Sequence, residues 1–320
     1  MEQPSVMLRL LSSVVSVAGR AGGEVRRVTK SGMLGVVDKG VQDYQTEADR
    51  VAQRMIVASL NKKFPKCTIV GEEDLAEDKE ADTNLLVDTQ DEDVLNKTSL
   101  PSQYKDVKEE DITIWVDPLD GTAEFVSGGL LEHVTILVGI SVGQKSVAGV
   151  IHQPFHGYKI GVDPASLPGR TMWGVVGLGC FGVEPKSLPN DKLVVTTTAS
   201  HGNVDIEETL AGLKPDNVLK VGGAGHKVLL VIEGKAHSYV FPSNGCKRWD
   251  TSAPEALLES AGGKLTTIFG DHIEYSYRAN GDYKNYLGIV ASANAEIHSR
   301  ILANIPEAVK ERLRAAQPLQ

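Results

Sequence analysis

The chain begins with apolar residues that recur at steps of three and four positions. Val6, Leu10, Val14, Val17 and Ala21 follow this spacing, and arginines and serines fill positions between them. An α-helix turns once every 3.6 residues, so this spacing places the apolar side chains on one face. The pattern predicts an amphipathic first helix, an interpretation we favour over a signal or transit peptide.

The same helical spacing returns from about Glu47 to Phe64, where Pro65 follows. Proline cannot donate the backbone hydrogen bond that a continuing helix needs, so a second helix is predicted to end there. The next run, CTIV, is short and apolar. It predicts a strand that leads into the acidic sequence GEED.

Apolar residues become sparse between positions 74 and 111. This stretch is acidic and contains few bulky apolar side chains. Such a composition cannot bury much surface, which is typical of a solvated insertion. One short helix is predicted inside it, around Leu85 to Val87.

Strand-like patterns resume after this insertion. DITIWV predicts one strand, and HVTILVGISVGQKSVAGVIHQP predicts two more, joined at Gly143 to Lys145 as an antiparallel hairpin. Further strand-like segments are LVVTT, NVLKV, AHSYVF, GKLTTIF and YLGIVAS, and helical segments include HKVLLVIEG and PEALLESA. Alternation of strands and helices beyond about residue 165 predicts a second, partly parallel sheet covered by helices.

Composition narrows the possible classes of function. The 320 residues carry a net charge of -9, and 41% of them are hydrophobic, enough for a large core. An acidic chain lacks the basic surface that non-specific binding to nucleic acid or anionic membranes requires, and no apolar run is long enough to span a bilayer. The three cysteines lie far apart without C-x-x-C spacing, which predicts reduced thiols. We expect a cytoplasmic monomer that binds a small molecule.

Three short motifs suggest other functions, and each fails on its context. GISVG matches the serine-hydrolase elbow, but a second strand follows it where a helix is needed. GLGCFG matches a dinucleotide-binding loop, but prolines stand where its helix would begin. Asp117 has Leu119 two positions later, where haloacid-dehalogenase-type phosphatases carry a second aspartate, and the chain has no phosphate-binding P-loop sequence.

Five acidic residues stand at predicted element ends: Asp49, Glu72, Asp117, Asp120 and Asp250. Taken singly, each is most simply a turn or helix-cap residue. Taken together, they repel: two carboxylates about 4 Å apart cost about 4 kcal/mol at an effective dielectric of about 20. Carboxylate oxygens suit Mg²⁺, which also engages substrate phosphate. Asp117 and Asp120 are therefore predicted to form a turn that supplies ligands to magnesium.

Three motifs resemble those of a known family. GEED, VDPLDGT and WDTSAPEALLESAGG, in this order and spacing, resemble the lithium-sensitive, magnesium-dependent phosphomonoesterases of the inositol monophosphatase superfamily. Its 3'(2'),5'-bisphosphate nucleotidase branch is most similar, since the resemblance also covers DYQTEADRVAQ, GRTMWGVVGLGCFG and VGGAGHKVLLVIEGKA. The family fold implies an αβαβα layered sandwich of two sub-domains, residues 1–165 and 166–320, with a metal site between them.

The resemblance implies a role for each acidic residue. The expected ligands of two or three Mg²⁺ ions are Glu72, Asp117, Asp120, Asp250 and the backbone carbonyl of Leu119. Thr122 and Asp49 would orient the attacking water and accept its proton. Bound cations lower the pKa of water and stabilise both the attacking and the leaving oxygen, so this set fits phosphate ester hydrolysis.

Substrate contacts are expected beside the metal site. Gly121 and Thr122 lie where backbone and hydroxyl donors can hold a phosphoryl group. The resemblance adds four further positions: Thr198, His201, Gly223 and Lys227. Lys227 would pair with a second phosphate, and free backbone N–H groups at the start of its helix also suit an anion.

The resemblance implies an enzyme that removes the 3'-phosphate of adenosine 3',5'-bisphosphate, a by-product of sulfate assimilation, to give AMP. The sulfated analogue, 3'-phosphoadenosine 5'-phosphosulfate, and inositol 1,4-bisphosphate are expected as further substrates, and Li⁺ as an inhibitor. An inositol polyphosphate 1-phosphatase shares the metal motifs and stays an alternative. A catalytically silent nucleotide-binding protein is the alternative of another class. Such a protein would usually have lost a ligand or the water-orienting pair, and this chain retains both.

Overall fold

The computed structural model describes residues 4–40, 43–74, 85–97, 99–189, 191–199 and 202–318. Its helices are α1 (Val6–Ser31), α2 (Glu47–Lys63), α3 (Glu92–Leu95), α4 (Thr122–Ser127), α5 (Val204–Leu213), α6 (Ala224–Ile232), α7 (Arg248–Ser260), α8 (Ala295–Ala303) and α9 (Glu307–Ala315). Its strands are β1 (Val37–Gly40), β2 (Asp43–Gln45), β3 (Thr68–Gly71), β4 (Ile112–Asp120), β5 (Thr135–Val142), β6 (Lys145–Gln153), β7 (Arg170–Val175), β8 (Gly179–Phe181), β9 (Val194–Thr198), β10 (Asn217–Val221), β11 (Ser238–Phe241), β12 (Lys264–Thr266) and β13 (Ile289–Ser292). Both predicted N-terminal helices are confirmed.

The first sheet has six strands in the order β3-β4-β5-β6-β7-β8. β3 runs parallel to β4, and every later pair is antiparallel. The predicted hairpin is confirmed as β5 and β6, whose turn includes Gly143 with a positive φ of 60°, a conformation that favours glycine. β4 is buried along its whole length, because helices cover both faces of the sheet.

The second sheet has five strands in the order β10-β9-β11-β13-β12. β10, β9 and β11 run parallel, whereas β13 and β12 are antiparallel to their neighbours. α5 connects β9 to β10, and α6 connects β10 to β11, since parallel strands need a crossover connection. The predicted partly parallel sheet is confirmed.

Helices cover both sheets and separate them. α1 and α2 pack on the outer face of the six-stranded sheet, and α6 and α7 fill the space between the sheets. α5, α8 and α9 cover the far face of the five-stranded sheet. These layers form the predicted αβαβα sandwich. β7 and β8 lie beyond residue 165 but belong to the first sheet, and the division into sub-domains at that residue stays a prediction.

Two glycines let α7 approach the first sheet closely. A Cβ atom at Gly139 in β5 would lie 2.2 Å from Ser252 Oγ, and one at Gly149 in β6 would lie 2.4 Å from the Ala253 carbonyl oxygen. Ser146 Oγ also donates to the Ser252 carbonyl oxygen at 2.8 Å. Because no side chain separates α7 from β5 and β6 here, the start of α7 lies close to the end of β4.

The insertion is more firmly anchored than its composition predicts. Residues 75–84 lie outside the described residues. Of the short helix expected around Leu85 to Val87, only Leu85 has 3-10 helical conformation among the described residues, and the α-helix of the insertion is α3. Four apolar side chains of the insertion are buried in the core: Val87, Val94, Leu100 and Tyr104. They are too widely spaced to give a helix or strand period, so the sequence pattern alone did not show that they are buried. Ser12 of α1 also donates to the Asp91 carbonyl oxygen at 2.7 Å.

Both short motifs set aside above have a structural explanation. Ser141, the serine of GISVG, lies inside β5, where its hydroxyl accepts a hydrogen bond from Trp115 Nε1 at 3.0 Å. GLGCFG forms the turn and second strand of the β7–β8 hairpin. Neither segment therefore has the backbone geometry that its motif requires.

The three cysteines are free thiols, as predicted. Cys67 and Cys246 are buried, and burial raises the pKa of Cys67 to about 12. Such a thiol is protonated at neutral pH and unreactive as a nucleophile. Among the described helices, none is both long enough and apolar enough to cross a membrane.

Candidate active site

Asp117 and Asp120 lie within the last residues of β4, and both are buried. Asp117 is opposite Leu137 on β5, and Asp120 is opposite Thr135, so β4 carries one extra residue between them. A bulge of this kind bends a strand and changes the direction of its side chains. The sequence predicted a turn after the strand. Instead the strand continues to Asp120, and the bulge brings the two carboxylates close enough to repel each other.

Glu72 lies beside the end of β4 because β3 is parallel to β4. Its backbone N–H donates to the Val116 carbonyl oxygen at 3.0 Å. The next residue, Glu73, accepts hydrogen bonds from Lys39 Nζ at 3.0 Å and from Gln45 Nε2. The small β1–β2 sheet is thereby tied to the strand end that carries Glu72.

Asp49 and Asp250 occupy the same position in two helices. Each is the third residue of its helix, and its carboxylate accepts a hydrogen bond from the backbone N–H of the residue just before the helix. That donor is Thr46 for Asp49, at 2.7 Å, and Lys247 for Asp250, at 2.6 Å. In such a capping box the carboxylate satisfies a donor that the helix leaves free. Asp250 is therefore a capping residue, and its carboxylate lies close enough to Asp117 for the two groups to act on each other's pKa.

Thr122 begins α4 directly after the bulged strand. Gly121 precedes it with a φ of 88°, which a residue with a side chain rarely adopts. Thr122 Oγ1 lies 3.0 Å from the Leu119 carbonyl oxygen and 3.5 Å from Asp49 Oδ1. The hydroxyl of Thr122 thus lies near Asp49, with which the sequence analysis paired it, and near the carbonyl of Leu119, an expected metal ligand.

Mutual repulsion and burial act on the whole acidic cluster. Burial raises the pKa of Glu72 to about 8, and the nearby negative charges of Asp250 and Glu73 act in the same direction. Burial also raises the pKa of Asp117 well above its usual range, with further contributions from Glu72, Asp120 and Asp250. The pKa of Asp250 is raised to about 6, again chiefly by burial. Each carboxylate would be stabilised in its charged form by a nearby cation.

Asp120 connects this cluster to α6. Its Oδ1 accepts a hydrogen bond from the backbone N–H of Ala224 at 2.8 Å. Its Oδ2 accepts two hydrogen bonds, one from the backbone N–H of Gly225 at 2.8 Å and one from the hydroxyl of Thr135 at 2.7 Å. The carboxylate therefore caps the N-terminus of α6, where helix amides favour a negative charge. The sequence analysis expected free N–H groups at the start of this helix for a substrate anion. That prediction is wrong for Ala224 and Gly225, whose N–H groups already donate to Asp120.

The donor set fits a divalent cation in its chemistry. Four carboxylates and a backbone carbonyl are hard oxygen ligands of the kind that Mg²⁺ prefers. In the described part of the chain, no three acidic, histidine or cysteine side chains are already arranged to hold a metal ion. Asp120 and Asp250 instead direct oxygens at helix amides. Cation binding would therefore draw these side chains together, against the hydrogen bonds that now hold them.

A cleft of about 550 Å³ opens beside the cluster. We call it the central cleft, and it is lined by Tyr44, Glu72, Asp120, Gly121, Thr122, Ala123, Glu124, Thr198, Gly223, Ala224, Lys227, Tyr239, Phe241, Asn244, Gly245, Cys246, Lys247, Asp250 and Lys284. Residues from both sheets contribute. Its volume is in the range of small-molecule sites.

The predicted substrate contacts divide into those that line the central cleft and one that cannot be placed. Thr198, Gly223 and Lys227 line it, whereas His201 lies outside the described residues. The Lys227 ammonium lies 5.1 Å from the Tyr239 ring centroid and 3.4 Å from the Val221 carbonyl oxygen. Burial lowers the pKa of Lys227, and nearby Asp120 acts in the opposite direction. The roles of these residues stay predictions.

Several residues in the central cleft were not predicted. Glu124 follows the VDPLDGT motif by two positions, and Lys247 precedes the WD pair by two. Lys284 pairs with Lys247 through an isolated antiparallel bridge, which places two cations side by side. Glu124 and Lys247 stand next to motifs that were recognised in the sequence, and their closeness to those motifs could have indicated that they belong to the site. Nothing in the sequence connects Lys284 to the site.

Comparison with known proteins identifies the family. Residues 8–310 match the sequence model of the inositol monophosphatase family. Human 3'(2'),5'-bisphosphate nucleotidase 1 is 47% identical over 310 residues, covering 97% of this chain and 98% of that protein. Rat Golgi-resident adenosine 3',5'-bisphosphate 3'-phosphatase is 31% identical over 316 residues, covering 94% of this chain and 82% of that protein.

Solved structures share the fold. The extragenic suppressor protein SuhB of Bartonella henselae superposes with a TM-score of 0.65 at 21% identity, covering 93% of this chain and 98% of that chain. An IMPase of Thermotoga maritima superposes with a TM-score of 0.61 at 22% identity, covering 96% of this chain and 97% of that chain. With a sequence match that extends over nearly its whole length, this chain belongs to the inositol monophosphatase family.

Proposed function

We propose that this protein is a magnesium-dependent phosphomonoesterase that removes the 3'-phosphate of adenosine 3',5'-bisphosphate to give AMP. The observation that carries the proposal is the buried carboxylate cluster beside Gly121 and Thr122, at one wall of the central cleft. Relatives that bear this activity in their names are similar over nearly the whole chain. Activity on the sulfated analogue and on inositol 1,4-bisphosphate belongs to the same proposal.

Glu72, Asp117, Asp120, Asp250 and the Leu119 carbonyl would hold the divalent cations. Bound magnesium supplies positive charge to the phosphoryl oxygens and lowers the pKa of a coordinated water. The free backbone N–H groups at the start of α4 and the Thr122 hydroxyl are donors for the phosphoryl group. The second phosphate of the substrate would meet Lys227, the cation buried across the cleft.

Thr122 would orient the attacking water, and Asp49 would accept its proton. The Thr122 hydroxyl has one hydrogen and two acceptors in reach, the Leu119 carbonyl oxygen at 3.0 Å and Asp49 Oδ1 at 3.5 Å. If the Leu119 carbonyl held a cation, the hydroxyl would donate to Asp49 and accept from a water. Asp49 is fully buried and does not line the cleft. Its Oδ2 accepts from the Thr46 backbone N–H and hydroxyl, so Oδ1, on the side of Thr122, is the oxygen left to take a proton. A general base works best when its pKa is near the working pH, and burial raises the pKa of Asp49 to about 6.

A panel of substrates tests this proposal. Phosphate release would be measured at saturating Mg²⁺ from adenosine 3',5'-bisphosphate, from its sulfated analogue and from inositol 1,4-bisphosphate, with identification of the nucleotide product. We expect the highest kcat/KM with the adenosine bisphosphate, and AMP as its product. A clear preference for inositol 1,4-bisphosphate would support an inositol polyphosphate 1-phosphatase instead. Tight nucleotide binding without phosphate release would indicate a silent binding protein.

We expect kcat/KM to fall tenfold per pH unit below about pH 6, because Asp49 must be ionised to accept a proton and its folded-state pKa lies at about 6. Asp49→Asn should remove this acid limb and lower kcat by about 10²- to 10⁴-fold. The pH profiles of both proteins would be compared at saturating Mg²⁺. A strong shift of magnesium activation to higher concentration in the variant would mean that Asp49 is a metal ligand rather than the base.

Lithium should inhibit the enzyme far more than sodium. A cluster of four carboxylates with product phosphate is strongly negative once one cation leaves, and a small monovalent ion can take its position without activating a new water. Phosphate release would be titrated with LiCl against NaCl at fixed Mg²⁺, and the inhibition should be uncompetitive with substrate. Equal inhibition by both salts would indicate general screening and contradict the proposal.

A further inference from the structure

Glu124 presents an unused acceptor to the central cleft. Only 7% of the surface of this residue is exposed. It lies two residues after Thr122 and lines the cleft. Its carboxylate accepts no hydrogen bond from another described residue; only its own backbone N–H approaches it. The carboxylate oxygens are not enclosed and reach the cleft, so a ligand that fills the cleft would displace water and remove the hydrogen bonds that water gives them. A donor from a bound ligand would replace them.

The chain keeps space open for this carboxylate. A Cβ atom at Gly222 would lie 2.0 Å from the carboxylate carbon of Glu124 and 2.0 Å from its Oε1. Gly222 has no positive φ, unlike its neighbour Gly223, so the backbone itself would tolerate a larger residue. A larger residue at position 222 would therefore force the Glu124 carboxylate out of its present position.

The position of Glu124 limits which substrate group it can meet. It lies one turn along α4 from Gly121 and Thr122, the expected donors to the scissile phosphate, and close to Asp120. Lys227, which lines the same cleft and is close enough to act on the pKa of Glu124, is a cation and offers a phosphate oxygen a better partner than a carboxylate does. The group that Glu124 meets must therefore be a neutral donor attached near the scissile phosphate. In a nucleoside 3'-phosphate, that donor is the adjacent 2'-hydroxyl group.

We propose that Glu124 is a specificity-determining residue that accepts a hydrogen bond from the sugar hydroxyl next to the scissile phosphate. This inference rests on the proposed function. It makes the enzyme selective for ribonucleotide over 2'-deoxyribonucleotide bisphosphates. The missing hydroxyl would leave the carboxylate buried without a partner, which is the kind of loss that discriminates strongly between substrates.

The test compares kcat/KM for adenosine 3',5'-bisphosphate and for 2'-deoxyadenosine 3',5'-bisphosphate. In the wild type we expect the ribonucleotide to be preferred by about 10- to 100-fold, the size expected for a hydrogen bond to a buried charge. Glu124→Ala should reduce this ratio at least tenfold, and Glu124→Gln, which keeps one acceptor oxygen, should retain part of it. Glu311→Ala, on the exposed surface of α9, is the matched control and should leave the ratio unchanged.

The ratio separates recognition from support of the fold. Loss of structure in α4 or in the Gly222 turn would lower kcat/KM for both substrates together and leave their ratio unchanged, and that result would overturn the assignment. A wild type that shows no ribonucleotide preference would overturn it as well. Absence of phosphate release from both substrates by the wild type would instead overturn the proposed function on which the assignment rests.

Discussion

Asp120→Asn should lower kcat for adenosine 3',5'-bisphosphate by about 10³-fold or more, because one carboxylate of the proposed magnesium site becomes neutral at almost unchanged size. The same variant should lose about 1–3 kcal/mol of unfolding free energy. Asparagine offers a single oxygen, so its NH₂ group would face either the backbone N–H of Ala224 or that of Gly225. Turnover at several Mg²⁺ concentrations and denaturant unfolding measure the two effects.

Thr135→Val is the matched control for this variant. It removes the hydroxyl that donates to Asp120 Oδ2 at 2.7 Å but leaves the carboxylate in place. We expect it to reduce stability by about 0.5–1.5 kcal/mol and to reduce kcat by about 10- to 100-fold, less than the loss expected for Asp120→Asn. If the two variants lost turnover equally, Asp120 would act through its hydrogen bond with Thr135 on β5 rather than as a ligand.

Thr122→Ala should lower kcat by about 10²- to 10³-fold. The substitution removes the hydroxyl that lies 3.0 Å from the Leu119 carbonyl oxygen and 3.5 Å from Asp49 Oδ1. The position of the attacking water and the path of its proton to Asp49 would be lost together. Steady-state kinetics and magnesium activation would be measured for the variant and for the wild type.

Thr122→Ser distinguishes the hydroxyl from the rest of the side chain. Serine keeps the oxygen and removes only a methyl group, so we expect kcat within about tenfold of the wild type. Equal losses in the serine and alanine variants would show that packing of the methyl group matters and that the hydroxyl has no part in the reaction.

The periodic parts of the fold could be predicted from the sequence because burial imposes the same period on every residue of an element. The hairpin of β5 and β6 and the alternating helices and strands of the second sheet follow this rule. The anchoring of the insertion by Val94 and Tyr104 could not be predicted, since isolated apolar residues carry no period. The bulge between Asp117 and Asp120 depends on pairing with β5, which local sequence does not specify.

The site was only partly predictable for a related reason. Short motifs indicated the acidic residues of the site. A motif does not show which backbone N–H groups also donate hydrogen bonds to the same carboxylate. Asp250 is both a helix cap and a member of the cluster, and Asp120 also caps α6. Glu124 was missed because an acidic residue in the first turn of a helix is usually solvated. Only the approach of the Gly222 turn, from a distant part of the chain, buries it.

The central claim is that the carboxylates around Asp117 hold divalent cations that the hydrolysis requires. Its most direct measurement is phosphate release from adenosine 3',5'-bisphosphate by EDTA-treated protein as Mg²⁺ is added back. We expect no release above background in EDTA and full recovery of activity with saturable dependence on Mg²⁺. Release in EDTA at the rate seen with Mg²⁺ would contradict the claim.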